Sequence, residues 1–417
     1  MPTPAGARAG AARRVLDLLR VEGTFSRVEL AERTGLTPAT ITNTVRPLIA
    51  DGLVREVGRD PQPGRGQPRR LLQLVAGAWH AVGIQLDRTT TTIEVLDFAG
   101  GRTATANLPG TGGAGPDETV AVLAGHVDAL LDRAGVPRSR VLGVGLVTHG
   151  PQDLDRGILL TAQPGPDWLE YPLTATLAAR LDLPVLLEND ATAAAVGELW
   201  AGAPETDTFG LVYMSSGIGG GVIVDGEVYR GRASNAVEIG HVALAGGSTP
   251  CVCGGSGCAQ AEAAPQAVVA RVLADADLAR RFAVTGARDG ALADFDRIAR
   301  AWRAGDRVAA AMLEQSARWI GQAAVTLVNL FDLDTVVLAG PAFTVAGNLY
   351  RDHVAAELER LALSRALIRP KVLVSSDAGS AAALGGALHV LRTVHIGAPP
   401  SPPARTDPLA TATEGAL

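Results

Sequence analysis

Residues 26–46, Ser26-Arg27-Val28-Glu29-Leu30-Ala31-Glu32-Arg33-Thr34-Gly35-Leu36-Thr37-Pro38-Ala39-Thr40-Ile41-Thr42-Asn43-Thr44-Val45-Arg46, read as two helices joined by a short turn. Ser26 caps the first, Glu29 completes a capping box, and Phe25 can staple onto Leu30. Gly35 ends that helix. Thr37 caps the second, and Pro38 occupies its first position, where the missing N–H costs nothing; the run continues to Ala50 and stops at Asp51-Gly52. This is helix-turn-helix spacing. The second helix exposes Thr40, Thr42, Asn43 and Arg46, short polar side chains and one forked donor, as a helix lying in a DNA major groove requires. Pro47 removes a bond to the Asn43 carbonyl and is expected to kink the last turn.

Upstream, residues 11–21 carry an apolar stripe of Val15, Leu16, Leu18 and Leu19, the mark of another helix. Downstream, Leu53–Val57 and Leu71–Val75 pair as a hairpin whose long tip holds Arg65-Gly66-Gln67-Pro68-Arg69. Gly and Pro keep such a ribbon extended, so its arginines can enter an A·T-rich minor groove. The expected DNA contacts are Ser26, Arg27, Thr37, Ala39, Thr40, Thr42, Asn43 and Arg46 on the helices and Arg65, Gln67 and Arg69 on the wing. Charge agrees with this reading. Residues 1–75 hold 12 Arg against 7 acidic residues, a net of +5, whereas the 417-residue chain carries −6, which leaves −11 on the remainder. Phosphate binding needs local positive charge of this kind. A winged helix used for protein contacts is the alternative.

From Trp79 the pattern changes to strands alternating with helices. Strands 80–86, 91–96 and 103–108, a helix at 117–135, strand 141–147, a helix at 173–182 and strand 185–187 make one α/β lobe. A second lobe begins at Phe209–Met214, turns at Ser215-Ser216-Gly217, and includes strands 221–224, 227–229, 335–338 and 372–374. The expected organisation is a winged helix-turn-helix over 1–75, a first lobe over 76–196 completed by a helix at 379–392, a second lobe over 197–378, and a Pro-, Ala- and Thr-rich disordered tail over 393–417. With 47% hydrophobic and 19% charged residues and no apolar run of bilayer length, a membrane span is excluded. The N-terminus lacks an uninterrupted apolar region and cleavage site, so a cytoplasmic location is expected.

The three cysteines, Cys251, Cys253 and Cys258, lie within eight residues, ten after His241. Three thiolates and one imidazole complete a tetrahedral Zn²⁺ set with no open position, so the ion is expected to be structural. Glu188-Asn189-Asp190 closes a strand and opens a helix, a place that faces the ligand crevice in α/β folds. There Asn189 and Asp190 can bond adjacent sugar hydroxyls, and Asp190 could serve as a general base on one of them or merely cap its helix. Ser215–Gly221 holds four glycines in a turn suited to a backbone phosphate cradle. Lys371 is the only lysine, which excludes a P-loop of the G-x-x-x-x-G-K-[ST] kind.

Glu238-Ile239-Gly240-His241 followed by Cys251-x-Cys253-Gly254-x-x-Gly257-Cys258, with Glu188-Asn189-Asp190-Ala191, Gly217–Gly221 and Val337-Leu338-Ala339-Gly340-Pro341, resembles the ROK family (repressor, open reading frame, kinase) from about residue 10 to 392. The resemblance implies an actin-like, hexokinase-type two-lobe fold with a sugar between the lobes. It also implies sugar contacts from Gly150, Asn189, Asp190, Glu238 and His241, with His241 also holding zinc. Kinases of the family carry Asp-x-Gly-Gly-Thr after the first strand, whereas this chain has Gln85-Leu86-Asp87-Arg88-Thr89. The lost carboxylate and glycines argue against Mg·ATP. Gln260 stands where the family usually has a sugar-contacting Glu.

Together these features lead to the expectation of a sugar-responsive transcriptional regulator, a repressor acting as a homodimer or dimer of dimers on operator DNA, with a sugar or sugar phosphate as effector. Asp190 would be a vestigial base and no residue catalytic. The rival readings are an ATP-dependent sugar kinase with a DNA-binding head and a regulator that answers to a protein partner.

Overall fold

The computed structural model describes residues 4–59, 69–162, 164–201, 206–287 and 290–393. The wing positions Arg65 and Gln67 and the tail beyond Thr393 lie outside the described residues. The chain opens with α1 (Pro4–Glu22), β1 (Phe25–Ser26), α2 (Arg27–Thr34), α3 (Pro38–Ala50), β2 (Val54–Arg59) and β3 (Arg70–Leu74). Ser26 accepts from the Glu29 N–H while the Glu29 carboxylate accepts from the Ser26 N–H, and Gly35 ends α2 with φ 68°. Thr37 caps α3, which runs through Pro47 to Ala50. β1 adds a strand that sequence periodicity is too short to show: Phe25 and Ser26 pair with Leu72 and Leu71, giving the order β1-β3-β2.

The first lobe comprises β4 (His80–Leu86), β5 (Thr90–Asp97), β6 (Arg102–Pro109), α4 (Pro116–Ala134), β7 (Val141–Thr148), a small ribbon of β8 (Gln152–Asp153) and β9 (Ile158–Leu159), α5 (Leu173–Leu181), β10 (Val185–Asn189) and α6 (Asp190–Ala201). Its sheet has the order β10-β7-β4-β5-β6, with β10 and β4 both parallel to β7. The second lobe continues with β11 (Phe209–Met214), β12 (Ile218–Val224), β13 (Glu227–Val228), α7 (Ala259–Ala263), α8 (Pro265–Leu273), α9 (Ala276–Arg281), α10 (Ala291–Arg303), α11 (Arg307–Phe331), β14 (Thr335–Ala339), α12 (Phe343–Leu361) and β15 (Lys371–Val374). Its sheet order is β13-β12-β11-β14-β15.

The last helix, α13 (Ala381–Thr393), returns to the first lobe and packs on α6, β4 and β7. α6 also packs on β11 and β12, so it lies between the two sheets. Glycine makes this close stacking possible: a Cβ on Gly385 would fall 1.7 Å from the Ala193 carbonyl oxygen, and one on Gly145 would fall 2.1 Å from that of Gly386.

The N-terminal module is not held by a linker alone. Val15, Leu16 and Leu19 of α1 and Leu72 and Leu74 of β3 share one buried cluster with Leu96, Phe98, Val196, Leu388 and Leu391 of the first lobe. Polar contacts surround it. The Arg20 guanidinium, its side chain 2% exposed, donates through Nε to the Phe98 carbonyl (2.9 Å) and lies over the rings of Phe98 and Trp200. Arg392 of α13 pairs with Asp17 (3.6 Å) and with Glu227 of β13 (3.5 Å), and Arg13 pairs with Glu227 (2.9 Å). Helix α1 therefore touches both lobes. Among the described residues no helix is long and apolar enough to cross a membrane.

Candidate functional site

Parallel β4, β7 and β10 end side by side, which brings Gln85–Asp87, Thr148–Gly150 and Asn189-Asp190 to one edge of the first sheet. The β11–β12 turn of the second lobe, Ser215-Ser216-Gly217, faces them. Between lies a cavity of about 860 Å³ lined by, among others, Gly150, Asn189, Asp190, Glu238, His241 and Gln260. Every residue named for the sugar from sequence thus reaches one space.

Asn189, not Asp190, supplies the main helix cap: its Oδ1 accepts from the N–H groups of Ala191 (3.0 Å) and Thr192 (3.2 Å). That use of the amide oxygen leaves the NH₂ as the donor toward the cavity. Asp190 accepts from Ala191 N–H (2.8 Å) and is otherwise buried near other acids. Burial first, and then the charge of Asp87, push its carboxyl up to about 7. Burial likewise raises Glu238.

The lobes also touch beside the cavity. The Gln85 amide donates to the Tyr213 hydroxyl (2.5 Å), and the Ser216 hydroxyl lies 3.4 Å from a carboxylate oxygen of Asp87. Arg88 turns away and donates to the Pro164 carbonyl (2.7 Å). Gln260 accepts through Oε1 from the Ile218 N–H (3.0 Å), so its amide closes one donor of the glycine turn.

Sequence reasoning missed a set of supporting groups. Gln152 and Asn235 exchange reciprocal bonds of 2.8 Å, and the Gln152 amide donates to Thr148 and to the Glu188 carbonyl, tying the ends of β7 and β10 together. Glu188 is buried and held by Arg230 (2.6 and 3.1 Å). His149 and Thr161 line the cavity as well. Lone Gln, Asn and His residues in loops and in the two-residue strand β8 carry no spacing that would have revealed them.

The ligand atoms of His241, Cys251, Cys253 and Cys258 all lie within 4.8 Å of one another. Cys251 Sγ is 3.5 Å from His241 Nδ1, and the sulfurs of Cys253 and Cys258 are 3.7 Å apart. Around an ion with metal–sulfur bonds of about 2.3 Å, tetrahedral edges measure about 3.8 Å. The four residues therefore fit a metal ion. A hydrogen bond from the Gly255 N–H and the neighbouring thiols bring Cys253 down to about 7, whereas burial and the same neighbouring thiols push Cys258 up to about 12. Glu262 anchors the loop by accepting from the N–H groups of Ser248 and Thr249, both 2.8 Å away.

In the N-terminal module Ala39, Thr42, Asn43 and Arg46 stand exposed on α3, and Thr37 and Arg69 are exposed nearby. Thr40 is half-buried and bonded to Thr37, and Arg27 is paired with Glu56 (3.0 Å). Ser26 does not belong with the DNA contacts: it is 1% exposed, and its hydroxyl and N–H are both spent on the capping box.

Residues 81–393 match the ROK family, and residues 11–55 match the winged helix-turn-helix DNA-binding family. A xylose repressor from Caldicellulosiruptor bescii is 27% identical over 372 residues, 87% of this chain and 90% of its own. The crystal structure of a ROK family transcriptional regulator, a homolog of the E. coli MLC protein, superposes with a TM-score of 0.72 at 23% identity, covering 93% of this chain and 97% of the other. A ROK family glucokinase from Streptomyces griseus, crystallised with glucose and AMPPNP, gives a TM-score of 0.63 at 26% identity over 74% of this chain and 98% of its own.

Proposed function

The chain belongs to the ROK family, and from that premise we propose that it is a sugar-responsive repressor that binds operator DNA through its winged helix and a sugar in the interlobe cavity. One observation carries this reading: a helix-turn-helix with an exposed polar face on α3 shares a buried core with the lobe that holds Asn189 and Asp190. The similarity to a xylose repressor supports it. A palindromic operator would be read by a homodimer, or by a dimer of dimers, as two-fold symmetry requires.

His241, Cys251, Cys253 and Cys258 would hold Zn²⁺ as a closed structural site, which cross-links the loop after Glu238. His241 presents Nδ1 to the sulfur of Cys251 and also lines the cavity, so the metal loop forms part of the sugar wall.

The kinase reading is favoured by the similarity to a ROK family glucokinase and by the buried Asp190 carboxyl, pushed up to about 7. Against it, the space between the two phosphate turns is bridged by Ser216 and Asp87, and the first turn carries Arg88 in place of a glycine. Phosphoryl transfer rests on placing Mg·ATP, which a first turn without glycine and with the amide of Gln85 in place of a carboxylate would disfavour. The domain division expected from sequence keeps its boundaries at residues 75 and 378 in this proposal, whereas the one expected at 196 falls inside α6, which runs unbroken to Ala201.

In vitro selection of duplex DNA by the full chain, followed by titration of the bound site with common sugars, tests the reading. The expected result is a palindromic site released by one sugar. Failure to select any sequence would refute it.

A further inference from the structure

We infer that the cavity takes an unphosphorylated sugar and discriminates against the corresponding sugar phosphate. This inference rests on the sugar-sensing reading above and narrows its ligand class.

Among the described residues that line the cavity, none is Arg or Lys. Its carboxyl groups are Asp190 and Glu238, set beside the imidazoles of His149 and His241, with Asp87 a further carboxylate just behind the Ser216 hydroxyl. A sugar phosphate brings about two negative charges into that field, at a point where low polarity weakens screening. Arg230, which lies outside that lining, is doubly bonded to buried Glu188.

Main-chain N–H groups could in principle replace cationic side chains, since a glycine turn can cradle phosphate. Here that cradle is partly closed. The Ile218 N–H is bonded to Gln260 Oε1 (3.0 Å) and the Ser215 N–H to the Gly217 carbonyl (3.0 Å). Gln260 sits so tightly on the turn that a Cβ on Gly217 would be 2.7 Å from its Oε1.

What remains suits hydroxyl groups. Asp190 and Glu238 accept, the Asn189 NH₂ donates, and His149 Nδ1 is buried without a protein partner at the cavity wall. These are partners for an uncharged polyol whose hydroxyls both give and receive.

Isothermal titration of the full chain with glucose, xylose and N-acetylglucosamine, and with glucose 6-phosphate, xylose 5-phosphate and N-acetylglucosamine 6-phosphate, each with and without Mg²⁺, decides the matter. We expect one free sugar to bind and its phosphate ester to bind about a hundredfold more weakly or not at all. Asp87→Asn should narrow that ratio, because it removes charge without adding a contact to the phosphate. A phosphate ester that binds as tightly as its free sugar, with or without Mg²⁺, would overturn this inference while leaving the sugar-sensing reading intact. An unchanged ratio in Asp87→Asn would overturn its electrostatic basis. No binding of any of the compounds, with DNA binding retained, would overturn the sugar-sensing reading itself.

Discussion

Arg20 of α1 lays its guanidinium over the Trp200 indole, 4.9 Å from the ring centroid, and so joins the DNA-binding module to the far end of the helix that begins at Asp190. Ten residue steps of α6, from Asp190 to Trp200, separate cavity from module, about 15 Å of helix. Burial brings the Arg20 guanidinium down to about 10, still charged at neutral pH.

Arg20→Ala removes this stack and the bond to the Phe98 carbonyl. The expected cost is about 1–3 kcal/mol of module docking. Sugar affinity should hold while sugar loses its grip on operator release, which titration calorimetry and a gel-shift assay would separate. Equal release in the variant and the parent would show that the signal takes another route.

Arg46→Ala should weaken specific DNA binding by about 1–3 kcal/mol if the exposed guanidinium reads a base. Fluorescence anisotropy on the selected site and on a scrambled duplex distinguishes this from phosphate contact, which would weaken both equally. Ser26→Ala should act differently: the helix loses about 1 kcal/mol of stability through its cap and base preference stays unchanged.

Asp190 is expected to give the proposed sugar site a pH dependence. Its carboxyl, pushed up to about 7, faces Asp87, Glu238 and the Tyr213 hydroxyl. If the sugar needs the carboxylate as acceptor, affinity should rise about tenfold from pH 6 to pH 8 and flatten in Asp190→Asn. The stability of the sugar-free protein should move the other way. Between the ordinary carboxylate range and about 7 the native state keeps a proton that the unfolded chain has released, so stability falls as pH rises across that window.

Cys251→Ser or His241→Ala should lower bound metal in elemental analysis and weaken sugar binding, because the same loop lines the cavity. The helix-turn-helix should remain folded, with DNA binding at low sugar retained. Protein purified without chelator and found free of zinc would refute the assignment.

A coupled ADP-release assay across hexoses and hexosamines should show no turnover. Rates in the ordinary kinase range of about 1–100 s⁻¹ that vanish in Asp190→Asn would instead establish an enzyme.

Much of the site was legible because it is built from local signals. Ser26, Glu29 and Gly35 mark a helix by chemistry confined to one turn at each end, and the His241–Cys258 spacing marks a ligand set within one loop. Asn189 and Asp190 were legible by position, at a strand end. What sequence hid is long-range. Nothing in the spacing of Gln152, Asn235 or Arg230 tells that they meet Thr148 and Glu188, and nothing near Gln85 points to Tyr213, 128 positions away. The docking of Arg20 on Trp200 is hidden for the same reason. Ser26 shows the opposite error, in which a residue near the exposed face of α3 is already committed to capping the preceding helix, α2.

The glycine contacts between α13, α6 and β7 bear on how the lobes can move. With Gly385 against the Ala193 carbonyl and Gly145 against that of Gly386, backbone rests on backbone with no flexible side chain between them to absorb a displacement. On the proposed function, a rotation that a sugar imposed at Asp190 would be passed along α6 toward Trp200 and, through the close α6–α13 packing, toward Arg392, where the DNA-binding module docks.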